Sequence, residues 1–284
     1  MKANKPDISI VIPVYNEVEN IEGLALEVIK QVKTISSSYE IIFVDDGSAD
    51  GSFHLINELH KKHDEINGIS FSRNFGHQMA LFAGLKHSKG DTVITMDGDF
   101  QHPPTLIPEL YQAFREGYNI VNTKRTDSDS TRLFKKLSSR IYYKLINYLS
   151  DVKIEPASAD FRLMDRKAIN AYLSISERDR FNRGLISWIG FRQTTLPYKA
   201  NARLGGKSKF SLTKMISFGL TGITSFSSRP LRISFYSGIL FSILGFVYAV
   251  FALIQYFIGT NIPGWTSILM TVLIIGGIIL INLG

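Results

Sequence analysis

Residues 233–284 contain no charged side chain, and this stretch limits what the chain can fold into more than any other feature. It divides at Gly259-Thr260-Asn261-Ile262-Pro263-Gly264 into two apolar runs, 233–258 and 265–283. Each run is close to or above the ~20 residues that a helix needs to cross the hydrocarbon core of a bilayer. Buried helices of a water-soluble protein would carry polar positions at helical period, and these are missing. The spacing predicts a two-helix transmembrane hairpin over 231–284. Lys207, Lys209, Lys214, Arg229 and Arg232 precede the first run, and the connecting loop is uncharged. Residues 1–230 are therefore expected on the cytoplasmic side of the inner (plasma) membrane. The polar opening from Met1 to Asp7 is unlike a signal peptide.

The charge distribution agrees. The net charge is +7, yet all 25 Asp and Glu lie at or before Asp179. The basic remainder calls for an anionic partner, either nucleic acid or a membrane surface bearing phosphate. That basic stretch runs directly into the apolar one, so nucleic acid is excluded as the partner. With no cysteine in the chain, disulfides, thiolate metal sites and a cysteine nucleophile are excluded too.

Up to about residue 124 the pattern alternates. Short apolar runs at 8–12 (ended by Pro13), 40–44, 68–72, 91–96 and 119–123 read as strands, with amphipathic helices near 18–35, 50–62, 77–88 and 105–116 between them. This alternation predicts an α/β fold: a Rossmann-type, mostly parallel sheet flanked by helices. Such sheets bind ligands beyond the carboxyl ends of their strands. Those ends carry Tyr15-Asn16-Glu17, Asp45-Asp46-Gly47-Ser48, Ser72-Arg73-Asn74-Phe75-Gly76 and Asp97-Gly98-Asp99. Further on, Leu133, Phe134, Leu137, Ile141, Leu145, Tyr148 and Leu149 recur at helical spacing among Arg132, Lys135, Lys136, Arg140 and Lys144. This predicts a basic amphipathic helix near 131–149 lying in the membrane interface, with a second near 209–226.

Asp97 and Asp99 are two residues apart after a strand. On an extended chain both carboxylates would point the same way and meet one hard cation, Mg²⁺ or Mn²⁺, shared with substrate phosphates. Gln101 and His102 could add neutral contacts, although His102 reads equally well as a solvated loop histidine before Pro103-Pro104. Asp45-Asp46-Gly47-Ser48 suits a helix-capping turn as well as a nucleoside hydroxyl or N–H. No Gly-x-Gly-x-x-Gly follows the first strand. Gly206-Lys207-Ser208 lacks the earlier glycine and strand of a phosphate-binding loop, so it is a decoy.

Six ordered segments carry a family resemblance. They are Ile12-Pro13-Val14-Tyr15-Asn16-Glu17, Val44-Asp45-Asp46-Gly47-Ser48, Ser72-Arg73-Asn74-Phe75-Gly76-His77-Gln78, Asp97-Gly98-Asp99-Phe100-Gln101-His102-Pro103-Pro104, Ala159-Asp160-Phe161-Arg162 and Arg203-Leu204-Gly205-Gly206-Lys207-Ser208-Lys209-Phe210. Together they resemble glycosyltransferase family 2. With the apolar hairpin they look like its polyisoprenyl-phosphate hexosyltransferases, the bactoprenol glucosyltransferases and dolichyl-phosphate mannose synthases.

The resemblance implies a GT-A-like domain over 1–230, with a nucleotide-sugar half to about 124 and an acceptor half over 125–230. It implies that Pro13, Tyr15, Glu17, Asp45, Asp46 and Arg73 hold the nucleotide sugar. Asp97, Asp99 and Gln101 would hold Mg²⁺ or Mn²⁺ with the diphosphate, and Asp97 would touch the donor as well. Arg125, Ser139, Arg140, Arg203 and Lys209 would receive the lipid phosphate, and Asp160 would sit at the reacting centre. The partners implied are a nucleotide sugar, a polyisoprenyl phosphate and the membrane, with room for a homo-oligomer. The middle metal-motif position, commonly Ala in the family, is Gly98 here, which is expected to loosen the backbone without removing a ligand.

A phosphomonoester has a second pKa near ~6, so the acceptor is largely dianionic at neutral pH and needs cations more than a base. Asp160 is then either a modest general base, an orienting group for Arg162, or a structural ion pair with Arg162 or Arg166. The implied reaction is inverting transfer of a hexose, UDP-glucose favoured as donor, to a polyprenyl phosphate for cell-envelope glycan modification. The alternatives are a GDP-mannose-dependent synthase and a non-catalytic membrane-tethered nucleotide-sugar binder.

Overall fold

The computed structural model describes residues 5–126, 158–177, 180, 182–199, 229–258 and 264–283. The two expected interface helices, near 131–149 and 209–226, lie outside the described residues. So do Ser139, Arg140, Arg203, Lys209 and the Gly206-Lys207-Ser208 decoy.

Seven strands form one sheet in the order β3-β2-β1-β4-β6-β5-β7. They are β1 (Ile8–Val14), β2 (Tyr39–Asp45), β3 (Ile66–Ser70), β4 (Thr92–Thr95), β5 (Ile120–Arg125), β6 (Ser158–Asp165) and β7 (Gln193–Tyr198). The β3-β2-β1-β4 half is wholly parallel. β1 is buried along its whole length, as expected of a central strand with helices on both faces.

Alternation along β1 divides the core in two. Ile8, Ile10, Ile12 and Val14 join a cluster with α1 (Val18–Val32), α2 (Ser52–Lys62) and α4 (Ile107–Arg115). In α1 the buried side chains are Ile21, Leu24, Ala25, Val28, Ile29 and Val32, a single stripe at helical period. On the opposite face Val11 meets α3 (His77–His87), where a Cβ placed on Gly84 would lie 2.2 Å from Val11 Cγ1 and 3.2 Å from Val44 Cγ2. Helix and sheet backbones therefore approach too closely there for any side chain.

Most expected elements recur with shifted ends, and three differences have physical causes. β1 runs through Pro13 instead of stopping before it. Pairing of β1 with β4 ends at Val11↔Thr95, while pairing with β2 continues to Val14↔Asp45. Met96 donates to the Val11 carbonyl and Asp46 to that of Val14, so Pro13, in phase with Val11, faces the side where β4 has ended. Its missing N–H costs no ladder bond there. β3 begins at Ile66, two residues early, because Ile66 is the buried anchor against Ile41. The third difference is β6, which enters antiparallel between β4 and β5. Strands from both expected halves of residues 1–230 thus share one sheet. After β6 come α5 (Arg166–Leu173), capped by the Asp165 carboxylate accepting from Ala168 N–H, and α6 (Asn182–Trp188).

The C-terminal helices form a separate unit: α7 (Arg229–Ile258) and α8 (Trp265–Leu283). Within α7, the span Leu231–Gln255 is long and apolar enough to cross a membrane, with a mean hydropathy of 2.3 and only 17% of its apolar window buried. In α8 the qualifying apolar stretch is shorter, Met270–Leu283. The two helices pack along small residues. Gly238, Gly245 and Ala252, seven apart, are buried on α7, and Gly277 is buried on α8, a seam that suits close helix approach in lipid.

Gly84→Ala tests the closeness of α3 to β1. An exposed helical Gly→Ala change gains about 1 kcal/mol in propensity, but here overpacking should dominate and lower stability by about 1–3 kcal/mol. Denaturant unfolding measures this, and combining the change with Val11→Ala should recover part of the loss.

Candidate active site at the carboxyl edge of the sheet

The carboxyl ends of β1, β2, β3 and β4 lie along one edge, and their loops are tied to one another. Asn16, at φ 52, donates its N–H to Ser48 Oγ at 2.9 Å and accepts from Ala49 N–H at 3.0 Å. Glu17 accepts from Asn20 Nδ2 at 2.7 Å and donates its N–H to Ser52 Oγ. Tyr15 beside them is exposed.

Asp45 and Asp46 are both buried, and they do different things. Asp45 accepts from Ser48 N–H at 3.2 Å and Ser70 Oγ–H at 3.3 Å. Asp46 has each oxygen on a separate backbone N–H, Phe75 at 2.7 Å and Gly76 at 2.9 Å. It holds the loop after β3 in place. Gly47, at φ 72, completes this joint: a Cβ there would lie 2.5 Å from the Arg73 carbonyl carbon. Arg73 reaches outward and stacks on Phe75, 4.0 Å from the ring centroid.

The metal-motif segment departs from the extended geometry expected for it. β4 stops at Thr95, and Gly98 and Asp99 lie in a turn that leaves Phe100 at φ 60. The Phe100 ring packs against α1 at Gly23, which holds this strained residue in place. Gly98 is a packing choice, since a Cβ would meet Val14 Cγ1 at 2.9 Å and the Pro13 carbonyl at 3.3 Å. The looser backbone expected there is replaced by a tight contact with β1.

Around this turn the two carboxylates have different partners. Asp97 accepts from His77 Nε2 at 2.8 Å. Its own N–H donates to His102 Nδ1 at 2.9 Å, so the proton of His102 sits on Nε2, 3.5 Å from Asp97 Oδ2. His102 is buried, stacked on Phe161 at 5.2 Å with Tyr198 edge-on. It is not the solvated loop histidine that its proline flank suggested. Asp99 accepts from Gln101 Nε2 at 2.6 Å, and Gln101 Oε1 accepts from Arg125 Nη1 at 3.3 Å. Arg125, at the end of β5, is thereby linked to the metal motif through one glutamine.

Because β6 is antiparallel, its first residues reach the same edge. The ladder ends at Thr95↔Arg162; beyond it Thr95 Oγ–H donates to the Asp160 carbonyl, and the Asp160 carboxylate is close enough to Asp97 for their charges to interact. Asp160 is buried and accepts from Arg162 Nη2 at 3.1 Å, Arg183 Nε at 3.2 Å and Arg183 Nη2 at 3.0 Å. Arg166, a possible partner in the sequence, turns away to Gly90 O at the opposite edge.

Burial would raise the Asp160 carboxyl, but Arg183 and Arg162, then His77, hold it well below the usual carboxylate range. Asp97 is likewise held down by His102 and His77 against burial. His77 moves the other way. Burial would lower it, but its hydrogen bond to Asp97 and the charges of Asp97 and Asp160 raise it to about 8. Sequence reasoning assigned no role to His77 or Arg183. His77 stood inside a quoted motif, whereas Arg183 had no signal beyond the basic bias of its region.

The donor set of Asp97 and Asp99 fits Mg²⁺ or Mn²⁺ in chemical type, since these ions take one or two carboxylates together with substrate phosphates and water. Among the described residues no group of three or more His, Cys, Asp or Glu gathers as a self-sufficient cage.

The comparisons with known proteins give the family and the fold. The family described as Glycosyl transferase family 2 matches residues 9–173. An uncharacterized glycosyltransferase of Synechocystis is 39% identical over 98% of this chain and 88% of its own. The bactoprenol glucosyl transferase of Shigella phage SfV is 37% identical over 98% of this chain and 91% of its own. Two solved structures share the fold at 18% identity and a TM-score of 0.51. One is a mannosyltransferase of Pyrobaculum calidifontis in complex with GDP-Man and Mn²⁺, over 72% of this chain and 59% of that one. The other is mannosyl-3-phosphoglycerate synthase from Rubrobacter xylanophilus, over 80% and 74%. A mostly parallel sheet with acidic loops at its carboxyl edge, matched along nearly its whole length by such relatives, makes this chain a glycosyltransferase of family 2.

Proposed function

We propose that this chain transfers a hexose from a nucleoside-diphosphate sugar, UDP-glucose first, to a polyprenyl phosphate with inversion at the anomeric carbon. The observation that carries the reading is the chain Asp99–Gln101–Arg125. It joins a carboxylate suited to a diphosphate-bound cation to an arginine suited to a second phosphate. A phosphate acceptor beside a diphosphate donor is the arrangement this transfer needs. The bactoprenol glucosyl transferases among the relatives and the span-length helix α7 support a lipid acceptor. The basic residues Lys207, Lys209, Lys214, Arg229 and Arg232 before the first apolar run favour residues 1–230 on the cytoplasmic face, with residues 231–284 as a hairpin in the inner membrane.

In this reading Asp97 and Asp99, with Gln101, hold Mg²⁺ or Mn²⁺ against the donor diphosphate. The ion supplies Lewis-acid stabilisation of the leaving group. Pro13, Tyr15, Glu17 and Asp45 line the nucleoside side. Asp46 contributes by fixing the loop that carries Arg73, because both its oxygens are already engaged. Arg125, with Ser139, Arg140, Arg203 and Lys209, receives the acceptor phosphate. An acceptor oxygen forms the new bond to the anomeric carbon as the bond to the diphosphate breaks, and the electron pair leaves with the nucleoside diphosphate. The dianionic acceptor needs no proton removed.

Asp97→Asn or Asp99→Asn should lower transfer on the order of 100-fold, and excess chelator should abolish it until Mn²⁺ or Mg²⁺ is restored. Full activity in chelator would remove the metal from the mechanism. Arg125→Ala should raise the KM for polyprenyl phosphate about 10-fold or more, the scale of one charge-assisted hydrogen bond, while the KM for donor changes far less. For donor choice the measurement is competition against labelled donor. UDP should compete much better than GDP, and the reverse order would replace UDP-glucose by GDP-mannose with the other assignments intact.

A further inference from the structure

Tyr198 ends β7, the last strand of the sheet, and is held at both main chain and ring. Its carbonyl accepts from Thr126 N–H at 2.8 Å and from Thr126 Oγ–H at 2.9 Å. Its ring meets His102 at 5.9 Å and Phe161 at 6.2 Å between centroids, edge-on to both. The residue is 5% exposed and packs with the apolar core. Phenylalanine would serve this packing as well, so the phenolic oxygen needs its own explanation.

That oxygen has no hydrogen-bond partner among the described residues. Of their enclosed side-chain nitrogens and oxygens, Arg180 Nη1 alone is unpaired. The Tyr198 hydroxyl is therefore not sealed in, and it is the end of the side chain that opens to the surface. Tyrosine hydroxyls on buried rings ordinarily find a partner.

The surroundings define what would meet it. Arg125 and Tyr198 are register partners in the parallel pair β5–β7, so both side chains leave the same face of the sheet. Arg125 donates to Gln101, which donates to Asp99. His102, against which the Tyr198 ring packs, accepts the Asp97 N–H. Burial, then the charges of Asp97 and Asp99, push the phenol up to about 12 against those of Arg125 and Arg183. The hydroxyl keeps its proton at neutral pH and can donate, where the carboxylates beside it can only accept.

We propose that the Tyr198 hydroxyl donates a hydrogen bond to a phosphate oxygen of the reacting substrates. The inference rests on the phosphate-transfer reading above and adds a neutral donor to the binding set. The oxygen belongs either to the acceptor phosphomonoester, shared with Arg125, or to the donor diphosphate, shared with the cation at Asp97 and Asp99.

The test is Tyr198→Phe in the full chain in detergent, with Arg125→Ala alongside, each checked by melting temperature. Calorimetry gives the dissociation constant of UDP with Mn²⁺ and no acceptor, and transfer gives KM for polyprenyl phosphate. The phenylalanine variant keeps the ring contacts, so its melting temperature should stay close to wild type. One of the two constants should weaken about 10-fold, the scale of a hydrogen bond to a charged group. A raised acceptor KM assigns the acceptor phosphate, and Arg125→Ala should then raise it too. A weaker UDP constant assigns the donor diphosphate. If the variant does not fold, a tyrosine fluorinated beside its hydroxyl takes position 198. Its fluorine resonance should then move on adding UDP with Mn²⁺ or polyprenyl phosphate, and a resonance unmoved by both overturns the proposal. So do two constants within about twofold of wild type in Tyr198→Phe, even where kcat falls, since the hydroxyl would then serve something other than a phosphate. If Arg125→Ala raises the acceptor KM while Tyr198→Phe moves neither constant, the Tyr198 assignment fails and the transfer reading stands. The UDP measurement needs no transfer, so it judges Tyr198 even if the acceptor assignment fails.

Discussion

Asp97 and Asp160 gather at the carboxyl edge of one sheet, close enough for their charges to interact, and neighbouring carboxylates repel unless positive charge and N–H donors are brought to them. Much of the site is the solution to that problem. His77 comes from the first turn of α3, His102 from the turn after β4, Arg162 from β6 and Arg183 from α6. Each element is held by contacts whose purpose is otherwise hard to see. His102 stacks on Phe161, and Asn182 clasps Gln78. Arg162 and Asp160 are the buried pair of this cluster, and removing one would leave the other's charge uncompensated, which typically costs about 3–5 kcal/mol. The site therefore behaves as a unit.

A second joint ties together the loops at the ends of β1, β2 and β3. Asp46 spends both oxygens on the loop after β3, and Gly47 lets that loop come within contact of the β2 end. Asn16 then ties the β1 loop to Ser48 and Ala49. Three strand ends are thereby fixed to one another before any ligand arrives. This matters because a site held by its own hydrogen bonds loses less entropy on binding. Of the two readings of Asp45-Asp46-Gly47-Ser48, the turn is present, held by Asp45 accepting from Ser48 N–H.

The parallel half of the sheet was legible because its strands are buried on both faces and therefore appear as short apolar runs between amphipathic helices. β6 was not. Its residues Ala159-Asp160-Phe161-Arg162 alternate apolar and charged side chains, and the charged ones are buried by pairing with each other. That alternation is the period of a strand, but nothing local says that its charged face is buried by pairing. His102 was misjudged for a related reason, since a histidine before two prolines looks like loop while its burial depends on Phe161 and Tyr198, far along the chain. The turn at Gly98 and Asp99 was missed because a strand's end is set by its partner strands as much as by its own residues.

The sequence alone determined the parallel α/β core, the acidic loops at strand ends, the family and the charge-free C-terminal helices. These follow from local pattern, since apolar period and residue type at a strand end are properties of contiguous segments. The tertiary structure decided which charges meet. Asp160 reaches the edge that carries Asp97 because β6 runs antiparallel, and Arg183 reaches Asp160 because α6 is pinned to α3. Register and docking depend on residues far apart in the chain, and electrostatic pairing falls off within a few ångströms in space whatever the separation in sequence.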